Sequence, residues 1–215
     1  MRRRAFRSKE EKMNKSLYFM FMAVSFALLV CAPGRLAYGI ILIIEMNLLA
    51  LSASAFRSFV KDFDLDDLQD ILTLAVIVSV TILYRQIVIL FSPVIALNLG
   101  FVMYMPAVSF FLLGSVFGNE SLSPLDFLMQ SLKFSAFAFA FFLLRDILGY
   151  GTISIPSPWG IKEAYIFNSY STSFFAFFAS IPGALLLTLF CMAGLLCVQC
   201  KMNIIEKSGE EDGDN

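Results

Sequence analysis

Apolar residues run in long blocks, separated by short polar or Pro- and Gly-bearing stretches. A helix that crosses a bilayer needs about 20 apolar residues. Leu17–Ala32 is short of that length, while Leu36–Phe56, Ile71–Leu90, Leu125–Leu148 and Ser173–Val198 reach it. The stretch Ile87–Phe117 is too long for one plain span, and Pro93, Gly100 and Pro106 predict a kinked or broken helix there. The pattern predicts an all-α integral membrane protein with six transmembrane helices. It divides the chain into a basic cytoplasmic tail (1–15), a six-span membrane domain (16–200) and an acidic, disordered cytoplasmic tail (201–215).

The interruptions carry the finer expectations. Pro33-Gly34-Arg35 separates the first two blocks, and Arg85-Gln86 is expected to break the third late. Arg57–Asp70 reads as a loop, acidic toward its end, and Gly118–Pro124 as a turn. Gly149-Tyr150-Gly151 should stop the fifth helix with a left-handed cap. Thr152–Tyr170, with Trp159 and two tyrosines, reads as an interfacial loop whose aromatics lie at headgroup depth. Pro182 should bend the last span. The segments ending at Pro33 and Pro93 look alike. They suggest a 3+3 inverted repeat with an interrupted first helix in each half, a pattern that points to a site near the midplane.

Composition strengthens the membrane assignment. The 215 residues are 59% hydrophobic and only 15% charged, with a mean hydropathy of +0.78; a soluble domain is about 45–50% apolar and about 25% charged. The net charge of −1 hides an uneven distribution, with seven of the 16 Lys and Arg in the first fifteen residues. That excess predicts a cytoplasmic N-terminus, and an even span count then puts the C-terminus in the cytoplasm as well. The basic start followed by an apolar run is similar to a signal peptide, but Cys31-Ala32-Pro33-Gly34 is a poor cleavage site. The chain has no histidine, which excludes His-ligated metal sites and Ser-His-Asp or Cys-His catalysis. No phosphate-binding glycine loop and no basic-aromatic stripe for nucleic acid is present.

A few polar residues stand out against this background. Glu45 lies in the middle of the second block, two residues before Asn47, where a buried acid costs several kcal/mol unless paired or protonated. It is a candidate proton or substrate site, or a protonated or hydrogen-bonded helix contact. Arg145-Asp146 closes the fifth block, either as an interface anchor or as functional polar groups; Lys133, in the same helix, can snorkel outward. Asn98 and Tyr104 could join Glu45 and Asn47 in lining a polar pocket. Phe134, Phe137, Phe139, Phe141 and Phe142 cover more than one helical face, and Ala136/Ala140 and Ala179/Gly183 form small-residue pairs suited to helix packing. Cys197-Val198-Gln199-Cys200 is too sparse for a zinc site.

The segment Leu143-Leu144-Arg145-Asp146-Ile147-Leu148-Gly149-Tyr150-Gly151-Thr152 resembles the end of the fifth span in the RnfE and NqrD branch of the Rnf/Nqr electron-transport subunits, with Asp146 where Glu is usual. Phe91-Ser92-Pro93-Val94-Ile95-Ala96-Leu97-Asn98 is similar to that family's fourth helix, and Ile181-Pro182-Gly183-Ala184 to its last. The resemblance covers about Leu36 to Lys201. It implies a membrane subunit of a complex that couples electron flow to Na⁺ or H⁺ movement. It also implies a homologous six-span partner subunit, further membrane subunits and a shared [2Fe–2S] cluster held by two cysteines from each partner. Cys31 lies near the first ligand position. Leu99 stands where the second cysteine is expected, and leucine does not bind iron. Two other functions remain open: a small-solute, vitamin-type transporter component, and a non-catalytic assembly subunit.

Overall fold

A computed structural model describes residues 30–62, 68–109, 124–166 and 176–194. Residues 1–29, 63–67, 110–123, 167–175 and 195–215 lie outside it, and with them both tails, most of the first block, the Gly118–Pro124 turn up to its last residue, and Cys197 and Cys200. The described chain is mainly helical. A helical end at 30–31 is followed by α1 (Leu36–Asp62), α2 (Gln69–Phe91) and α3 (Pro93–Leu99). A 3₁₀ turn (Gly100–Tyr104) then continues the helical stretch to Ser109. After α4 (Pro124–Tyr150) come β1 (Thr152–Ser157), β2 (Gly160–Tyr165), α5 (Ala176–Ala179) and α6 (Ile181–Gly194).

Among the described residues, two helices are long and apolar enough to cross a membrane, over Leu36–Arg57 and Ile71–Phe91. At 27 residues, α4 is as long as α1.

The core lies where α1 packs against α2 and α4. Leu42, Met46, Leu49 and Ala53 recur at helical spacing on the buried side of α1, opposite Phe134, Ala138, Phe141 and Phe142 of α4. Gly39 is required at this crossing, because a Cβ would fall on the Phe142 ring. Asn47 Nδ2 donates to Ser135 Oγ at 2.7 Å and to the Ile43 carbonyl at 2.8 Å, while Ser131 Oγ donates to Asn47 Oδ1 at 3.1 Å. This clasp fixes the register of α1 on α4. It uses the Ser131/Ser135 face, whereas Ala136 and Ala140 are exposed. On the α2 side, Tyr84 Oη donates to the Ile41 carbonyl at 2.8 Å.

Three expectations are corrected. First, α2 runs unbroken through Arg85-Gln86. Neither residue obstructs a helix: Gln86 is exposed, and Arg85 Nη1 donates to the Tyr104 hydroxyl at 2.6 Å with its guanidinium over that ring. The break comes at Ser92, which Pro93 forces into an extended conformation (φ −153°, ψ 98°).

Second, the chain is not all-α. Thr152–Tyr165 is an antiparallel hairpin, with Ser157 paired to Gly160 across Pro158-Trp159. The alternation Thr152-Ile153-Ser154-Ile155 has the two-residue period of a half-buried strand: Thr152 and Ser154 are buried and Ile155 is exposed. The polar members face inward because a carboxylate awaits them, an inversion that hides the strand from a hydrophobic pattern. Trp159, at the turn, is exposed.

Third, the break at Pro33–Arg35 does not meet the one at Pro93. It meets Ala179, just before the break between α5 and α6 at Ser180. The Pro93 segment instead packs beside the hairpin, with Val94 beneath Gly160. The left-handed stop of α4 is present: Gly151 has φ +65°, and its N–H donates to the Ile147 carbonyl at 2.9 Å.

Candidate functional site

Helix breaks create backbone groups with no partner: N–H groups where a helix starts and C=O groups where one ends. In apolar surroundings each such group must be satisfied by the protein. Two breaks converge on the last turns of α4, where two adjacent charged side chains meet these opposite needs. Successive helical residues project about 100° apart, so Arg145 and Asp146 reach different partners.

Arg145 takes the helix ends. Its guanidinium is fully buried and donates from Nη1 to the Ala32 carbonyl at 2.6 Å. It also donates from Nη2 to the Ala179 and Ser180 carbonyls at 3.1 and 3.3 Å, and from Nε to the Phe178 carbonyl at 3.3 Å. One side chain therefore spans the close of the helical end before Pro33 and the close of α5. The planar fork of arginine suits this role, since it directs five donors from one rigid group.

Asp146, also fully buried, takes the helix start. Its Oδ2 accepts from the Leu36 N–H at 3.2 Å, the Ser154 N–H at 2.7 Å and the Ser154 hydroxyl at 2.6 Å; Oδ1 accepts from the Thr152 hydroxyl at 3.2 Å. Ser154 Oγ in turn accepts from the Ala37 N–H at 3.1 Å. The first two amides of α1 are thus capped from outside the helix, by a carboxylate on α4 and a hydroxyl on β1. Both charges carry the sign that helix dipoles favour, negative at the start of α1 and positive at the closing carbonyls.

Small residues let the pieces close. A Cβ on Gly34 would lie 2.9 Å from the Ala179 carbonyl oxygen and 3.0 Å from Arg145 Nε, and one on Gly149 would lie 2.8 Å from the Ala179 Cβ. At the rim, Arg35 pairs with Glu163 of β2 and stacks 4.6 Å from the Tyr150 ring centroid, tying the start of α1 to the hairpin a second time.

The other candidate residues lie apart from this hub. Glu45 is fully buried within α1, and neither carboxyl oxygen has a hydrogen-bond partner. Asn98 is exposed on α3, Asn47 is held by Ser131 and Ser135, and Tyr104 is held by Arg85. Of these four, Asn47 and Tyr104 are thus committed to other side chains. Lys133 is exposed on α4.

Cys31 is an exposed free thiol, next to the Ala32 whose carbonyl Arg145 holds. Leu99 is buried. Among the described residues, no group of three or more Cys, Asp or Glu could hold a metal ion. A shared four-thiolate cluster needs two thiolates from this chain, and the two positions offer one thiol and one aliphatic side chain. The residues present do not fit that cluster.

Sequence reasoning singled out Arg145 and Asp146 but not their partners. Thr152 could have been found, as it ends the same motif. Ser154 was missed because its segment reads as a loop, and the carbonyls of Ala32 and residues 178–180 left no signal, because a backbone group bonded across more than 30 residues is silent in the sequence. No protein-family model, curated protein or solved structure matches this chain.

Proposed function

We propose that this chain is a multi-pass membrane subunit of an Rnf/Nqr-like, ion-translocating electron-transport complex, seated in a bacterial plasma membrane against a homologous six-span partner. It acts there by architecture, without a cluster ligated by its own cysteine pair. One observation carries the proposal: the segment in which the family resemblance is strongest is also the hub of the fold. Arg145 closes two helix ends, Asp146 caps α1, Gly149 admits Ala179, Gly151 turns left-handed and Thr152 bonds Asp146.

A lipid environment is supported by the surface of α2, where Val78, Ile82, Leu83, Ile87 and Leu90 are exposed. Such a stripe is unfavourable in water and ordinary against acyl chains or a partner helix. The solute-transporter alternative has less support, since two of its four proposed pocket residues, Asn47 and Tyr104, are held by other side chains.

The test is purification of the tagged full chain from native membranes in mild detergent, with its partners identified by mass spectrometry. Co-purification of a second six-span subunit and flavin-carrying subunits is expected. Recovery with ATPase subunits alone, or with no stoichiometric membrane partner, would overturn the proposal. Iron analysis and EPR of the same preparation separate the two chemistries: a cluster signal abolished by Cys31→Ser would overturn the cluster-free part.

A further inference from the structure

Arg145 and Asp146 show how thoroughly this fold satisfies its buried charges. Glu45 is the exception. Its side chain is inaccessible, and both carboxyl oxygens lack a hydrogen-bond donor. It lies nine residues beyond Leu36, or about 14 Å along α1 at 1.5 Å per residue, close to the middle of a hydrocarbon core of about 30 Å.

The surroundings define what the carboxyl group can bind. From α2, Tyr84 is the titratable side chain within electrostatic reach of Glu45, and its hydroxyl proton is directed to the Ile41 carbonyl, one turn back on α1. Thr81, also buried on α2, donates to Ile77 within its own helix. From α4, the buried side chains are Ser131, Phe134, Ser135, Ala138, Phe141, Phe142, Arg145 and Asp146. The two serines are committed to Asn47 and to α4 itself, and the charged pair belongs to the hub at the far end. Along the chain the nearest charged residues are Arg35, just before α1, and Arg57, ten and twelve positions away. No cation faces Glu45 among the described residues.

A bare carboxylate in this setting costs several kcal/mol. A metal cation would need several further oxygen ligands, and among the described residues no group of three or more Cys, Asp or Glu could hold one. A proton needs only the carboxyl oxygen itself. A methionine or leucine would fill the same space without a polar group, so packing does not call for an acid here.

We propose that Glu45 is a proton-binding site at the centre of the α1–α2 interface, taking up and releasing one proton in exchange with water. Uptake forms the O–H bond of a carboxylic acid, and release returns the proton to water and leaves the carboxylate. The inference does not depend on which complex the chain joins.

The test is infrared spectroscopy of the full chain in lipid vesicles at neutral pH, comparing wild type with Glu45→Gln. The carbonyl band of an un-ionised carboxyl group is expected in the wild type and absent from the variant. Transfer to D₂O should shift that band within minutes. A missing band overturns the proposal, because Glu45 is then ionised. A band that never shifts in D₂O makes it a sealed structural acid, and a band that vanishes on adding Na⁺ makes it a cation site; both also overturn it. If Glu45→Gln does not fold, Glu45→Asp serves the assignment by moving the band, and the D₂O shift is read on the wild type. Failure to find membrane partners leaves this result untouched, so the two proposals fail separately.

Discussion

Replacing Arg145 by methionine keeps most of its length and all of its apolar stem while removing every donor. Four carbonyl oxygens then lose a partner, at Ala32, Phe178, Ala179 and Ser180. The bonds at 2.6 and 3.1 Å are well formed and the two at 3.3 Å are marginal, so only the first pair should be counted fully. Hydrogen bonds to a charged group contribute about 1.5–3 kcal/mol each, so their loss amounts to about 3–6 kcal/mol. For a chain of this size, about 2–4 °C of melting temperature corresponds to each kcal/mol, so Arg145→Met should melt about 6–24 °C below wild type.

Arg145→Lys keeps the charge but replaces the fork with a single ammonium group, which can hold one helix end well but not both. It should fall between the two, about 1–3 kcal/mol below wild type. The assay is thermal unfolding of purified protein in detergent. The exposed thiol of Cys31, adjacent to the released Ala32 carbonyl, supplies a local readout through its rate of alkylation below the transition. An Arg145→Met protein that melts within 2 °C of wild type would refute the assignment of Arg145 as the closure of both breaks. So would a lysine variant less stable than the methionine one.

Gly34→Ala should destabilise by about 1–3 kcal/mol through overpacking: its Cβ meets a backbone carbonyl and Arg145 Nε rather than a movable side-chain tip, and a melting temperature equal to wild type would contradict this. Asn47→Ala combined with Ser135→Ala, in a double-mutant cycle of unfolding free energies, should give a coupling of about 0.6–1.7 kcal/mol, the range for hydrogen bonds between membrane helices. A coupling of zero would mean that the clasp does not form. Gly151→Ala places a Cβ in the left-handed conformation that ends α4 and should cost about 1 kcal/mol in the same unfolding measurement; a stabilised protein would contradict the cap.

The sequence made the long helices legible because their signal is local. Leu36–Phe56 and Ile71–Leu90 are apolar runs bounded by polar or proline-bearing segments; α2 begins and ends within two residues of its run, while α1 continues six residues past Phe56 into the segment that reads as a loop. Pro93 acts on its own neighbour, so the break at Ser92 could be placed, and Gly151 turns where the Gly-Tyr-Gly pattern said it would. The hairpin was hidden because Thr152 and Ser154 turn inward to Asp146, giving a buried face made of hydroxyls. The meeting of Gly34 with Ala179 was hidden because it links positions 145 apart, and the likeness of the Pro33 and Pro93 segments pointed to a different pairing. Arg145 and Asp146 could be seen as charges at a helix end, but not as the closure of two other helices. That role depends on backbone groups, and backbone groups are the same in every sequence.

Hydrogen exchange resolved to single amides, compared between wild type and Asp146→Ala, tests most directly whether one charged pair locks the helix start, the helix ends and the hairpin together. The Leu36 and Ser154 N–H groups both donate to Asp146 Oδ2 although 118 positions separate them. If the hub is a single unit, both amides are protected in the wild type and both lose protection in the variant by a similar factor of about 10²–10³, which corresponds to about 3–4 kcal/mol. If Ser154 exchanges freely while Leu36 stays protected, the start of α1 is held by something other than Asp146, and the two breaks are not governed from one point.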